Sequence, residues 1–542
     1  MPVRTLGGRV AGSDAAAIAG PALLALALSL IGITGRSLGF DEGATWAIAT
    51  QHVPGHGLGA GLAHDGGNML GFYALEHVLI RAFGDSLLVM RLPSVLAGAL
   101  TAGFVAAIGL RLFARRTAVL GAVLSAATLS IVYWNQTARG YAAMLAFTCA
   151  GMLAFVVLAD TPARADTGPR GRWTPVLAYV IAMVLAVYCS FVAVLVIPAQ
   201  LVALIWRREA SRRFLVGLAA LLVCAIPLAV LAADRGSGQL FWVSRPDRQV
   251  DHQVLESLTG SGLQSSFHPT FLATPGLWIT VAAVLAALGC SVLGSRRPGR
   301  NAAGARAGAG ARAADGEPFA GWGATLVLSW ALVGPALVFL YSLVFQPLFQ
   351  PRNLLTAVPA IAFVLALGIC DRRMPRWAAG AALVVALGIR LVPLALSYDV
   401  SPEPWNAATR AVLADARPGD CAVFYPEDGH NPFQYYERTA RPAGAVAPNS
   451  MLPVTGWGEV RSYVERYETL SYARQAALAA ACTRLWLVSS HEGQSTGPRR
   501  SRRNLKAFDH FRTQLEQLFG RGRVRTYGYA SAIHVRLLPG PH

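Results

Sequence analysis

Long apolar runs separated by short polar clusters dominate residues 12–400, and the pattern changes beyond them. Windows of about 20 apolar residues, the helix length that crosses a bilayer, fall at eleven places. They are 16–34, 92–112, 117–134, 141–159, 174–189, 190–206, 214–233, 272–293, 321–344, 354–370 and 377–396. The run 174–206 is too long for one helix and divides at Tyr188-Cys189-Ser190. Ala16–Thr34 has the length of a full span and no small-x-small cleavage site after it, so it reads as a retained signal-anchor helix. Apart from boundary residues, the spans read as almost free of charge. The Gly/Ala/Arg stretch 295–317 is expected to be a disordered cytoplasmic linker. From residue 397 the pattern becomes helix then strand, three times over: "WNAATRAVLADARPGDCAVFYP", "SYARQAALAAACTRLWLVSS" and "NLKAFDHFRTQLEQLFGRGRVRTYGYA". That alternation predicts a small α/β domain over 397–542 with a largely parallel sheet.

Composition supports the membrane reading. The chain is 54% hydrophobic and 14% charged over 542 residues, with a mean hydropathy of +0.45. A soluble chain would carry about a quarter charged residues. The chain is therefore read as a polytopic α-helical membrane protein of about eleven transmembrane helices with an extracytoplasmic α/β domain. The net charge of +18 would point to nucleic acid in a soluble domain. Here the arginines cluster between apolar runs, so no nucleic-acid partner is expected. Alternate loops carry the clusters, such as Arg207/Arg208/Arg212/Arg213 and Arg372/Arg373/Arg376. The opposite loops are sparse, holding Arg36, Arg81, Arg91, Arg139, Arg235, Arg245, Arg248 and Arg352. Basic residues stay cytoplasmic, which places the N-terminus inside and residues 35–91 and the C-terminal domain outside. Cys421 and Cys482 begin two predicted strands on that oxidising side, where a disulfide is permitted but not required. The other five cysteines lie in or at spans and read as small apolar residues.

The outer loop 35–91 is too long for a connector and opens on "SLGFDEGATWAIA". A carboxylate at the hydrocarbon boundary is costly unless it faces a cavity or a partner, so Asp41 is a functional candidate; a helix cap is the competing explanation for the Asp41-Glu42 pair. The loop also holds His52, His56, His64, Asp65, Glu76, His77 and Asp85, with amphipathic pieces such as Asn68–Phe83 that suit helices along the membrane surface. In "IVYWNQTARGYAAM", Tyr133, Trp134 and Tyr141 suit interface anchors and Arg139 a snorkelling flank. In "FQPLFQPRNLLTAVPAI", Arg352 is the lone charge between two prolines at the start of a span; it fits either an interface anchor or a binder of an anionic head group.

These elements, in this order and topology, resemble the GT-C glycosyltransferases, in particular the family 39-like bacterial branch related to protein O-mannosyltransferases and the lipid A aminoarabinose transferase. "FGDSLLVMRLPSVLAGALTA" at the second span resembles the same branch, and the similarity covers roughly residues 25–400. Two departures concern the acceptor side: "HDGGNMLGFYAL" stands where the branch has a His/Pro-Pro-Leu-Tyr-Tyr-like element, and Thr137 where it often has Glu. The resemblance implies a membrane domain over 1–396 that moves a sugar from a polyprenyl-phosphate carrier to a glycan, lipid or protein hydroxyl on the outer face of the plasma membrane. An acceptor hydroxyl needs a carboxylate base, for which Asp41 is the choice, with Glu42 assisting it or orienting the first outer helix. The departing lipid phosphate needs fixed cations, for which Arg352 and Arg139 are the candidates. His64, Asp65, Asn68 and Tyr141 are placed on the acceptor or sugar side. One-step displacement would invert the anomeric centre. No cofactor is assigned; a divalent cation held by Asp41, His64 and Asp65 stays open, although no HExxH or paired Cys/His spacing supports one. In the C-terminal domain, Tyr435, Tyr436 and Trp457 fit either a sugar-stacking surface or the core.

Two rival classes remain. A transporter or lipid flippase for envelope precursors would show internal repeats and ionisable residues deep in its spans. A scaffold whose tail binds envelope polymers would leave the acidic first loop without a purpose.

Overall fold

The computed structural model describes residues 12–50, 65–160, 169–207, 212–235, 243–263, 274–282, 321–371, 374–453, 467, 469–529 and 532–541. Contacts divide the chain into two compact units. One comprises Met1–Ile31, Leu92–Pro227 and Pro246–Ser397; the other comprises Gly32–Arg91, Leu228–Arg245 and Tyr398–His542.

The first unit is helical. Including helices that extend beyond it, seven in the described chain are long and apolar enough to cross a membrane: Ser13–Leu30, Leu87–Leu112, Tyr141–Asp160, Arg212–Arg235, Trp322–Val344, Pro351–Ile369 and Arg376–Ser397. The pair Arg115–Ala126 and Leu129–Asn135 makes an eighth if counted as one span, but it bends by 61°. The single span expected at 117–134 is thus broken, at Thr128, whose backbone is extended and whose hydroxyl donates to the Leu124 carbonyl at 2.8 Å. The long run 174–206 does divide where the polar residues stand. Helix Pro169–Cys189 ends at an extended Ser190, and the turn Phe191–Val196 leads into Ile197–Arg207. Of the span expected at 272–293, residues 274–282 are helical and the rest, like the linker 295–317, lies outside the described residues. The chain is a multi-pass membrane protein.

Small residues bring the helices together, as expected where lipid removes the hydrophobic drive for helix association. A methyl on Gly121 would come within 2.4 Å of the Phe363 ring, and one on Gly151 within 2.7 Å of the Met183 sulfur. One expectation needs correction. The spans are not free of deep charge, because Arg390 lies inside Arg376–Ser397 at 2% exposure. Its guanidinium donates to the carbonyls of Ala386 and Thr259, both at 3.0 Å. It therefore closes the C-terminal end of helix Arg248–Thr259, where unpaired carbonyls and the negative end of the helix dipole favour a cation.

The second unit is built on a five-stranded sheet: β1 (Asp420–Tyr425), β2 (Asn449–Leu452), β3 (Arg484–Ser489), β4 (Arg523–Tyr527) and β5 (Ile533–Leu538), in the order β2-β1-β3-β5-β4. β1 runs parallel to β2 and β3, whereas β5 is antiparallel to both β3 and β4. The sheet is mixed, not largely parallel. β4 and β5 follow each other with too few residues between them for a crossover, so they must fold back antiparallel. β1, β3 and β4 are each preceded by a helix, as the sequence pattern predicts, and the helix His430–Ala440 with β2 is a fourth unit that the pattern did not show. Val423, Leu485 and Leu487 form the core with Phe508, Phe511, Leu515 and Phe519 of helix Arg499–Phe519. A disulfide joins Cys421 at the start of β1 to Cys482 just before β3. Tyr435 and Tyr436 are buried, so they belong to the core; Trp457 lies outside the described residues.

Candidate active site

Asp41 and Glu42 stand in the first turn of helix Phe40–Thr50. Glu42 completes part of a capping box, its Oε2 accepting the Gly39 N–H at 3.2 Å. The same carboxylate is gripped by Arg91, Nε to Oε1 at 2.9 Å and Nη2 to Oε2 at 2.6 Å. Arg91 also donates to the carbonyls of Ile33 (2.6 Å), Arg36 (2.9 Å) and Ser37 (3.1 Å). A guanidinium has five N–H donors, and here all five are used. Arg91 is 0% exposed and Glu42 4%, so this is a buried, fully bonded ion pair. Asp41 is half-buried, one residue after Phe40, at a helix end whose partial positive charge stabilises an anion.

Asp65 is committed to another buried pair. Its Oδ1 lies 2.5 Å from Arg235 Nη2, its carbonyl accepts from Arg235 Nη1 at 2.6 Å, and its Oδ2 accepts the Tyr73 hydroxyl at 3.0 Å. The first glycine of "HDGGN" serves this contact. Gly66 has φ +60°, and a methyl there would come within 2.3 Å of Arg235 Cδ. The half-buried Asn68 donates its N–H to the Asp65 carbonyl at 3.1 Å, closing the turn that starts helix Leu70–Phe83. His64 lies outside the described residues. Among the described residues no group of three or more His, Cys, Asp or Glu could hold a metal ion.

Helix Leu70–Phe83 is amphipathic, with Phe72, Tyr73 and Glu76 buried and Leu75, Val78 and Phe83 exposed. An outward apolar face suits a helix lying in the membrane interface. Glu76 is 0% exposed, and among the described residues neither carboxyl oxygen has a hydrogen-bond partner. Burial, reinforced by the nearby negative charge of Glu42, pushes its carboxyl well above the usual range. A carboxyl with a raised folded pKa contributes its full stability below its ordinary value and loses it as pH rises through the folded value. The melting temperature of the wild type should therefore fall on going from mildly acidic to alkaline pH, and Glu76→Gln should flatten that fall. Parallel melting curves for the two would remove Glu76 as the source.

The arginine candidates belong to the other unit. Arg139 is 8% exposed, and its carbonyl accepts the Ser94 hydroxyl at 3.4 Å. Trp134 and Tyr141 are buried and pack with tilted rings, centroids 4.5 Å apart, so neither is displayed as an interface anchor. Asn135 and Gln136 bind the end of helix Gly12–Leu30: Asn135 Nδ2 donates to Ser29 Oγ at 3.0 Å, and Gln136 Nε2 to the Ile31 carbonyl at 2.6 Å. Arg352 is half-buried in the turn Pro351–Ala357, held by Asn353 Nδ2 donating to the Leu348 carbonyl at 2.8 Å.

A family model described as dolichyl-phosphate-mannose-protein mannosyltransferase matches residues 70–233. The crystal structure of apo ArnT from Cupriavidus metallidurans aligns with 96% of this chain and 98% of its own, at a TM-score of 0.57 and 14% identity. The chain has the fold of ArnT. An Archaeoglobus fulgidus oligosaccharyltransferase, AglB, in complex with an inhibitory peptide and dolichol-phosphate covers 96% of this chain and 74% of its own, at a TM-score of 0.51 and 12% identity. ArnT bound to undecaprenyl phosphate matches 98% of this chain and all of its own, at 0.50 and 12%. At such identities these structures speak for the fold alone. No curated protein matches the chain.

Sequence reasoning left Arg91, Arg235 and Tyr73 without roles. Arg91 had a local signal, as a charge opening the apolar run "VMRLPSVLAGAL" where a cation needs a partner. Arg235 had none, since it ends a span as many arginines do.

Proposed function

We propose that this protein is a GT-C glycosyltransferase that moves a sugar from a polyprenyl-phosphate-linked donor to a hydroxyl acceptor on the outer face of the cytoplasmic membrane, with inversion. The N-terminus would lie in the cytoplasm and the α/β domain outside. The observation that carries the reading is the half-buried Asp41, held at a helix start by the Arg91–Glu42 clamp. The lipid phosphates in the ArnT and AglB structures support a polyprenyl-phosphate donor. In the proposed step, the acceptor oxygen bonds to C1 of the sugar as its proton passes to the Asp41 carboxylate. The C1–O bond to phosphate breaks, and the polyprenyl phosphate leaves with the electron pair. Phosphate is already a good leaving group, so cations to hold its charge are needed rather than a general acid. Arg352 and Arg139 are assigned that task, Arg352 because a guanidinium binds phosphate bidentately. Glu42 is assigned to positioning, because its carboxylate is taken up by Arg91 and the Gly39 N–H. Asp65, Asn68 and Tyr141 remain the proposed acceptor or sugar side, Asp65 acting by shaping the turn before helix Leu70–Phe83.

The test is reconstitution of the full chain in liposomes with undecaprenyl-phosphate-linked mannose, glucose, galactose and arabinose, and with envelope glycans, lipids and proteins as acceptors. Release of undecaprenyl phosphate together with a glycosylated product of inverted anomeric configuration is expected. Failure with every donor, or a retained configuration, would sink the respective claim. Arg352→Ala should weaken undecaprenyl phosphate binding by about 10- to 100-fold, the worth of a charge-assisted hydrogen-bond pair. Unchanged affinity would remove Arg352 from the site.

A further inference from the structure

In open α/β sheets, the crevice beyond the carboxyl ends of parallel strands is where ligands dock, at the point where successive connections diverge. Here that point lies between β1, whose chain goes on to β2, and β3, whose chain goes on to β4 and β5. The loops and helix that follow those two strands hold a piece of the same chain. Phe40 lies against His491, which follows β3, with ring centroids 4.7 Å apart. A methyl on Gly43 would come within 2.7 Å of Pro432, on the helix His430–Ala440 that follows β1.

The contact is polar as well as steric. Four consecutive backbone N–H groups, those of Ser37, Leu38, Gly39 and Phe40, are each taken by a side chain. Ser401 Oγ accepts from Ser37 at 2.9 Å, the Tyr436 hydroxyl from Leu38 at 2.6 Å, Glu42 from Gly39 at 3.2 Å and Glu403 Oε2 from Phe40 at 2.6 Å. The Ser37 hydroxyl also lies 3.2 Å from the Tyr436 oxygen and accepts the Asn406 N–H at 3.1 Å. Three of the four acceptors therefore come from residues 401–436, far along the chain. Orphan N–H groups at a helix start are usually satisfied locally or by water. Three of these are satisfied by the α/β domain, and Asp41 is the next residue.

We propose that Tyr436 and Glu403 are positioning residues for Asp41, and that the C-terminal domain serves as a socket seating the start of helix Phe40–Thr50. This rests on the reading of Asp41 as the base. A base displaced by about 1 Å can lose about a hundredfold in rate, which is the scale of error the socket would suppress. Removing either acceptor leaves a buried N–H unsatisfied and lets the helix start shift to find another partner.

The experiment uses the full chain in liposomes with the lipid-linked sugar that it turns over, and undecaprenyl phosphate as the binding probe. Tyr436→Phe and Glu403→Ala are each expected to lower turnover by about 10- to 100-fold while undecaprenyl phosphate affinity stays within about twofold. Glu403→Gln keeps an oxygen that can accept the Phe40 N–H, so it should restore most of the rate. A purely structural role would lower binding and melting temperature together with rate, and glutamine would bring no selective rescue. If Glu403→Ala does not accumulate, Tyr436→Phe, which loses a single hydroxyl, decides alone. Wild-type turnover in Tyr436→Phe, or parallel loss of binding and turnover, overturns the proposal. Asp41→Asn separates the two claims: an inactive Asp41→Asn beside fully active socket variants discards only the socket, whereas an active Asp41→Asn discards the reading of the base and the socket with it.

Discussion

Arg91→Ala is expected to destabilise the protein by about 3–5 kcal/mol, the cost of removing one partner from a buried ion pair. Truncation strands the Glu42 carboxylate at 4% exposure and takes donors from the carbonyls of Ile33, Arg36 and Ser37. Lysine should rescue little, because its three donors radiate from one point and cannot reproduce the fork that spans both Glu42 oxygens and three carbonyls. Glu42→Gln combined with Arg91→Met should be less damaging than the sum of the single changes, because no buried charge is then left alone. Thermal unfolding of the four proteins gives the coupling directly. Additive losses would mean that the pair does not act as a unit.

Asp41→Asn should lower sugar transfer by about 10²–10⁴-fold, the usual worth of a positioned general base. Asparagine is nearly isosteric and is tolerated in a first helical turn, so the melting temperature should stay close to that of the wild type. Binding of undecaprenyl phosphate should persist, because the donor phosphate is assigned to arginines. The contrast with Arg91→Ala is the diagnostic: one variant loses rate with the fold intact, the other loses the fold. Full transfer by Asp41→Asn would remove Asp41 from the chemistry.

The adjacent carboxylates of "FDEG" show how far local pattern reaches. Their neighbourhood identifies an acidic helix start at a membrane boundary and goes no further in telling cap from catalyst. The structure separates them, since Glu42 takes the Gly39 N–H and the Nε–Nη2 edge of Arg91, while Asp41 stands beside it half-buried. In the same way "WNQT" reads as an interfacial stretch, yet Asn135 and Gln136 tie down the end of the first helix. Arg390 was hidden by its surroundings, because one arginine barely lowers the mean hydropathy of a long apolar window.

Sequence alone determined the membrane class, the positions of most spans and the helix-strand alternation after residue 397. These follow from the length and period of apolar runs, which are properties of a local window. Only the tertiary structure decided the partners. Arg91 meets Glu42 across 49 residues, Arg235 meets Asp65 across 170, and Tyr436 meets Leu38 across 398. A buried guanidinium or hydroxyl must be paired, but nothing in its own window says with what. That choice is made when distant segments are brought into one low-dielectric interior.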